Sequence, residues 1–249
     1  MKAYQIVRSK LVKTKVLQND EFVAKYIPKT VLYDKENLQK MLNLYQMIFV
    51  KPECGKGGDR VMSLSRRQDG YLVRSGGKSM PCRSFNRAAK TVEQFFRGDT
   101  FLIQQGIDLM SVGNSPVDIR VYVQKPYSTW EITGFLGKIA AKDKVITNYK
   151  QGGTLHTFEE TMEKAGINSK KTKELKELLS QISLRIAQVL NEVYPGLREL
   201  GPDIGFDREL RPWLFEVNTR PVFIKGKYPK YDKYHQVILK DVAKNFVFC

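Results

Sequence analysis

The run Trp213-Leu214-Phe215-Glu216-Val217-Asn218 is mostly apolar or aromatic and lies between Pro212 and Pro221, so it reads as a strand. Alternation along a strand puts Leu214, Glu216 and Asn218 on one face and Phe215 and Val217 on the other. A carboxylate and an amide oxygen then leave the end of a strand side by side. Thirteen residues before Glu216, the segment Gly201-Pro202-Asp203-Ile204-Gly205-Phe206-Asp207 reads as the preceding antiparallel strand, with Asp203 beside the pair. Hard oxygen donors of this kind suit Mg²⁺, which takes one or two protein carboxylates and completes its shell with phosphate and water. The competing reading is a solvated glutamate and an asparagine that closes a strand.

The cleanest two-residue period runs from Val117 to Val123. Val117, Ile119, Val121 and Val123 face a core, while Asp118, Arg120 and Tyr122 face the other side. An exposed Asp–Arg pair there would contribute only ~0–1 kcal/mol. A fixed guanidinium is also what a transferring phosphoryl group requires. Residues 130–139 read as the adjacent strand and bring Lys138 towards the same region. Met47 to Pro52 reads as a buried strand with Lys51 near its end, followed by Glu53-Cys54-Gly55-Lys56-Gly57-Gly58 and a strand over 59–65. Such a hairpin can fold over a polyphosphate, because turn N–H groups form an anion-binding concavity. An ordinary hairpin is the alternative.

Ser75-Gly76-Gly77-Lys78-Ser79 imitates the end of a Walker A loop, but the first glycine of that motif would stand where Leu72 stands. The segment reads instead as a surface turn between a strand at 71–73 and a helix over 84–97. Phe101 to Ile107 reads as a strand entering a hinge, where Gln104, Gln105 and Ile107 can meet a purine edge.

The remaining elements are a basic helix over 8–18 capped by Ser9, a short helix that restarts at Asn19-Asp20-Glu21 and runs through Tyr26, and a helix from Asp34 to about Tyr45. A loop follows over 148–153, then a long helix over 172–193 with one apolar face. Lys and Arg number 42 against 26 Asp and Glu, a formal charge of +16 that favours anionic partners. No run approaches 18 apolar residues, so no membrane span is expected. Three cysteines without metal spacing predict reduced thiols and a cytoplasmic setting. His156 and His235 lie too far apart to suggest zinc. A nucleic-acid role is unlike this chain, whose basic residues are dispersed and which carries no helix-turn-helix, RRM or zinc pattern.

In this order the parts resemble the ATP-grasp superfamily, and within it the YheC/YheD group associated with spore coats. The likeness runs from Ser9-Lys10-Leu11 through Pro221. It implies an α+β fold of two α+β subdomains with the nucleotide between them: a lead-in over 1–50, a small subdomain over 51–108 and a large one over 109–249. It implies that Lys10 and Lys51 contact ATP phosphates and that Gly55, Lys56, Gly57 and Gly58 form the loop covering them. Gln104, Gln105 and Ile107 would meet adenine, and Asp108 the ribose. Arg120 and Lys138 would stand near the γ-phosphate, and Asp203, Glu216 and Asn218 would hold Mg²⁺.

The activity so implied is an ATP-dependent ligase joining an anionic carboxylate substrate to an amine acceptor through an acylphosphate. A nucleotide-binding structural or spore-coat-associated protein without turnover is the alternative. Related enzymes usually carry a further N-terminal domain for substrate; only eight residues precede Ser9, so the expectation is that the rest of the chain holds the second substrate or borrows a partner chain. Lys138 stands where related chains often have Arg. Cys54 falls in the phosphate loop without a base to activate it. Basic residues flank the site: Lys2, Arg8, Lys10, Lys13 and Lys15 before it, and Lys225, Lys227, Lys230 and Lys233 after it. They are expected to recognise the anionic co-substrate, against the alternative of a solvated basic surface.

Overall fold

The structure, a computed structural model, describes residues 4–55, 59–141 and 152–245. It opens with two helices whose caps are visible in the sequence. Ser9 accepts from Val12 N–H at α1 (Lys10–Gln18), and Asp20 accepts from Val23 N–H at α2 (Glu21–Ala24). Each cap satisfies one of the donors that a helix start leaves unpaired.

A first sheet is built from β1 (Thr30–Leu32), β2 (Met47–Pro52), β3 (Met62–Arg67), β4 (Gly70–Ser75), β5 (Lys78–Cys82) and β6 (Phe101–Gln105). The order is β1-β6-β2-β3-β4-β5, antiparallel throughout. Helices α3 (Lys35–Leu44, capped by Asp34) and α4 (Phe85–Glu93, capped by Ser84) pack against it. Leu38, Met41, Ile48, Val50, Leu64, Val73, Ala88, Val92 and Ile103 form its core. Burying each large aliphatic side chain there contributes about 1.5–3 kcal/mol before entropy is counted.

Two sequence expectations change here. The strand expected at 59–65 is displaced to β3. The turn at 75–79 leads into β5 and not directly into a helix. The reason lies in Gly76 and Gly77, both with positive φ (55° and 85°), between the paired residues Ser75 and Lys78. Two left-handed central residues make the two-residue turn that closes a hairpin, so the chain must come back as a strand.

The second sheet contains β7 (Ser111–Val112), β8 (Ser115–Gln124), β9 (Glu131–Ile139), β10 (Thr154–Thr157), β11 (Glu199–Phe206) and β12 (Pro212–Asn218), ordered β10-β9-β8-β11-β12 with β7 beside β8. Its inner face buries Val117, Ile119, Val121 and Val123, as the alternation predicts, against α5 (Phe158–Lys164), α6 (Ser169–Val193) and α1. α6 begins before the expected 172. α5, absent from the sequence reading, starts at a capping box between Thr157 and Glu160. The loop expected over 148–153 lies largely outside the described residues. On the opposite face, α7 (Pro229–Asn245) packs Tyr231 against Tyr122 and Leu136. The rest of that face carries Asp118, Arg120, Lys138 and Asp203.

Strict alternation fails in β12. Asp203 pairs with Glu216, but Ile204 pairs with Leu214, so Phe215 is an extra residue in a β-bulge. Leu214 and Val217 therefore both enter the core, and Glu216 and Asn218 stay outside it.

Candidate active site

Lys10, Lys13, Thr30, Lys51, Gln104 and Glu216 line a cleft between the two sheets. Lys51 is 8% exposed and donates its amine to Gln104 Oε1 (2.8 Å) and to the Phe215 carbonyl (3.0 Å). Burial lowers its pKa to about 8, against the opposing pull of Glu216. Lys10 donates to the carbonyls of Gly55 (3.2 Å) and Glu53 (3.4 Å), with Glu216 Oε1 3.8 Å away. Lys13 donates to the carbonyl of Val7 (2.7 Å), and burial lowers its pKa to about 8 as well. Sequence reasoning had Lys13 as one of several flanking cations; as a buried member of the cleft it was missed. An amphipathic reading of α1 does not reveal this, because Lys13 turns back on the carbonyls before the helix.

Glu53 fixes this end of the cleft. Its carboxylate accepts from Ser9 Oγ, from Leu11 N–H (3.2 Å) and from the Cys54 thiol (2.8 Å). The hydrogen bond to Glu53 pushes the Cys54 thiol pKa up. A raised pKa leaves little thiolate, so Cys54 is poorly suited to nucleophilic work.

Beside the cleft lies a centre built on Asp203. Oδ1 accepts from Arg120 Nε (2.9 Å) and Lys138 Nζ (2.8 Å). Oδ2 accepts from Arg120 Nη2 (2.6 Å) and Asn218 Nδ2 (3.1 Å). A carboxylate offers about four lone-pair positions, and all are used. Burial alone would raise its pKa; Arg120 and Lys138 outweigh that and hold it at about 2. Lys138 also reaches Asp118 Oδ1 at 2.9 Å. Burial would lower the pKa of Lys138, but Asp118 and Asp203 raise it. Arg120 therefore pairs across strands with Asp203 instead of along its own strand with Asp118. The pair is largely buried, unlike the exposed pair weighed from sequence. Asp118 was not singled out beforehand as a partner of Lys138, although the register Asp118↔Lys138 follows once β8 and β9 pair.

The other sequence candidates fall differently. Gly55 accepts from Lys10; Lys56, Gly57 and Gly58 lie outside the described residues. Gln104 lines the cleft, with its Nε2 donating to Thr30 Oγ1 at 3.0 Å. Gln105 is turned to Lys29: its N–H donates to the Lys29 carbonyl (2.8 Å), and its Oε1 accepts from Lys29 N–H (3.3 Å). Ile107 is buried just beyond the end of β6. Asp108 is exposed, bonded to Arg208 at 2.6 Å, and does not line the cleft. Lys225, Lys227, Lys230 and Lys233 do not line it either; Lys230 pairs with Glu131 at 3.0 Å.

The oxygen donors suit a single Mg²⁺. Among the described residues no group of three or more His, Cys, Asp or Glu side chains is placed to hold a metal. Mg²⁺ needs fewer, taking one or two protein carboxylates beside phosphate. Asp203 and Glu216 are direct partners across β11 and β12, with Asn218 beside them. Glu216 is the less committed carboxylate, its nearest cation being Lys10 at 3.8 Å. Asp203 would have to share or release a donor.

Two antiparallel α+β units closing on a lysine-lined cleft define the ATP-grasp fold. Solved structures with that fold include the D-cycloserine synthetase DcsG (TM-score 0.60, 8% identity, 94% of this chain and 70% of that one). Another is the VanG D-Ala:D-Ser ligase of Enterococcus faecalis (TM-score 0.59, 14% identity, 95% and 61%). The chain belongs to the YheC/D-like ATP-grasp family, which it matches over residues 4–244. It is 28% identical over 214 residues to endospore coat-associated protein YheD of Bacillus subtilis (strain 168), covering 83% of this chain and 46% of that protein. Against endospore coat-associated protein YheC of the same strain it is 25% identical over 210 residues, covering 82% and 57%. The chain thus spans about half the length of the curated relatives it matches. Among the described residues no helix is long and apolar enough to cross a membrane.

Proposed function

We propose that this chain binds Mg-ATP in the cleft and uses it to join an anionic carboxylate to an amine. The observation that carries the reading is the meeting of Lys10 and Lys51 with the Phe215–Glu216 segment of the other sheet. Two buried cations and a carboxylate come together there although the residues lie far apart in the chain, a set that supports binding of phosphates and a metal.

In this reading Lys10 and Lys51 exchange their carbonyl and amide acceptors for phosphate oxygens. Asp203 holds Arg120 and Lys138 in fixed positions. Those two cations stabilise charge on the phosphoryl group as it moves, which preorganised donors do without further rearrangement. A carboxylate oxygen of the substrate attacks the γ-phosphorus, and the bond to the ADP oxygen breaks. The amine then attacks the acyl carbon of the acylphosphate, a C–N bond forms, and phosphate leaves as the nitrogen loses a proton. Mg²⁺, held by Glu216, Asn218 and Asp203, would neutralise charge on the phosphates. No side-chain nucleophile is required, in keeping with the raised pKa of Cys54. The first sheet with its helices, from Thr30 to about Asp108, and the second sheet with its helices would act as the two jaws, and Gly55 to Gly58 would cover the phosphates. Gln104, Gln105 and Ile107 would meet adenine.

The relatives' names extend the proposal to a role at the endospore coat. A second reading, nucleotide binding without turnover, is favoured by one feature: every acceptor position of Asp203 is already filled. The test is ADP release with pooled amino acids, peptides and acidic polymers, with hydroxylamine added to trap acylphosphate as hydroxamate. Ligase activity predicts substrate-dependent ADP and hydroxamate. ATP binding with neither product would establish the second reading.

A further inference from the structure

Away from the cleft, a broad groove on the first sheet is lined by Arg66, Arg67, Asp69, Tyr71, Pro81 and Arg83, among others. Residues 59–97 contain nine arginines and lysines against three acids, so this part of the chain carries a local excess of positive charge. Arg66 is anchored by donating to the Leu42 carbonyl (2.7 Å) and Asn43 Oδ1 (2.9 Å). Arg67 and Arg83 are exposed, and neither side chain makes a hydrogen bond or ion pair among the described residues.

The backbone places these two arginines on either side of one glycine. Gly70 is the cross-strand partner of Arg67. On its other side, a Cβ added to Gly70 would lie 2.3 Å from the Cys82 carbonyl oxygen and 3.1 Å from Arg83 Cα. Gly70 has φ 130° and no room for a side chain. Gly70 therefore adds no side chain between the two arginines, and the Cys82–Arg83 backbone closes directly on it. Two strand spacings separate Arg67 from the strand leading to Arg83, roughly 10 Å at the backbone.

We propose that this groove docks an extended, acidic peptide segment of a partner protein, with Arg67 and Arg83 gripping successive carboxylates. A guanidinium matches a carboxylate in a two-pronged arrangement. An extended segment rises ~3.3 Å per residue, so acids two or three positions apart span the two arginines. Leu72 and Pro81, cross-strand partners on the face that carries Arg67, give its intervening side chains an apolar wall. A nucleic acid fits less well. Tyr71, the one aromatic side chain lining the groove among the described residues, already packs against Phe85, which leaves no row of free aromatic platforms for bases. The groove shares no lining residue with the nucleotide cleft, so this inference stands apart from the ligase reading.

The test is fluorescence anisotropy with a short fluorescein-labelled poly-glutamate peptide, using the whole chain. Binding to wild type should weaken with salt, and Arg67→Glu with Arg83→Glu should weaken it by about tenfold or more. The milder Arg67→Gln with Arg83→Gln should give a smaller loss, and Lys51→Met should leave peptide binding unchanged. ATP affinity of the arginine variants should match wild type, which also reports that they fold. The proposal is overturned if wild type does not bind the peptide, or if the charge-reversed variant binds it equally well. It is also overturned if an oligonucleotide of the same charge binds more tightly and shows the same loss, which would make the groove a nucleic-acid surface.

Discussion

The amine of Lys51 donates to the carbonyl of Phe215 at 3.0 Å, across 164 residues of sequence. Phe215 is the extra residue of the bulge in β12, so an irregularity in one sheet supplies an acceptor for the cation of the other. Both acceptors of Lys51, this carbonyl and Gln104 Oε1, are uncharged. A buried cation held only by neutral oxygens gains most from an arriving anion.

Lys51→Met should therefore weaken ATP binding by about tenfold or more, the loss of one charge-assisted hydrogen bond. Thermal stability should change little, since a buried charge is removed together with its bonds. Calorimetric titration of ATP and a thermal melt of the same variant check both halves. A variant that binds ATP like wild type would remove Lys51 from the phosphate site.

The same burial predicts a pH dependence. Lys51 and Lys13 have pKa values lowered to about 8. The unfolded chain holds those protons up to roughly pH 10.4. Between about pH 8 and 10.4 the unfolded state binds more protons, so these two groups make stability rise with pH in that window. ATP affinity should move the other way and fall above pH 8 as the lysines lose charge, with binding accompanied by proton uptake. Titrations in buffers of different ionisation enthalpy measure that uptake directly; zero uptake near pH 8.5 would contradict the assignment.

Asp203 has the opposite sign. Its depressed pKa, about 2, contributes stability that is present above the unfolded value near 4 and is lost as pH falls towards 2. Asp203→Asn leaves Arg120 and Lys138 adjacent without their shared anion. It should cost about 3 kcal/mol near neutral pH, the scale for breaking a buried pair. The variant should also lose much of the acid-dependent slope between pH 4 and 2. Urea melts across that range test both expectations.

Much of this was legible in the sequence where a local rule acts alone. The caps at Ser9 and Asp34, the core face of β8 and the placing of Asp203 beside Glu216 follow from side-chain chemistry and period. The bulge at Phe215 was not legible, because the alternating pattern of β12 carries no glycine or break to mark it. The partner of Arg120 was hidden for a different reason: Asp118 is near in sequence, but Asp203 is opposite in the register of β8 and β11. Asp108 sat beside the hinge in sequence, yet the chain leaves β6 in a direction that takes it to Arg208 and solvent. Each miss is a case of tertiary placement overriding a local reading.

If residues from both sheets hold one Mg-ATP, calorimetric titration of ATP, with and without Mg²⁺, into wild type and into the Glu216→Ala, Asn218→Ala double variant will separate the two proteins. Wild type should bind ATP much more tightly with Mg²⁺ than without. The double variant, folded by circular dichroism, should show no Mg²⁺-dependent gain. Unchanged Mg-ATP affinity in the folded double variant would remove Glu216 and Asn218 from the metal site.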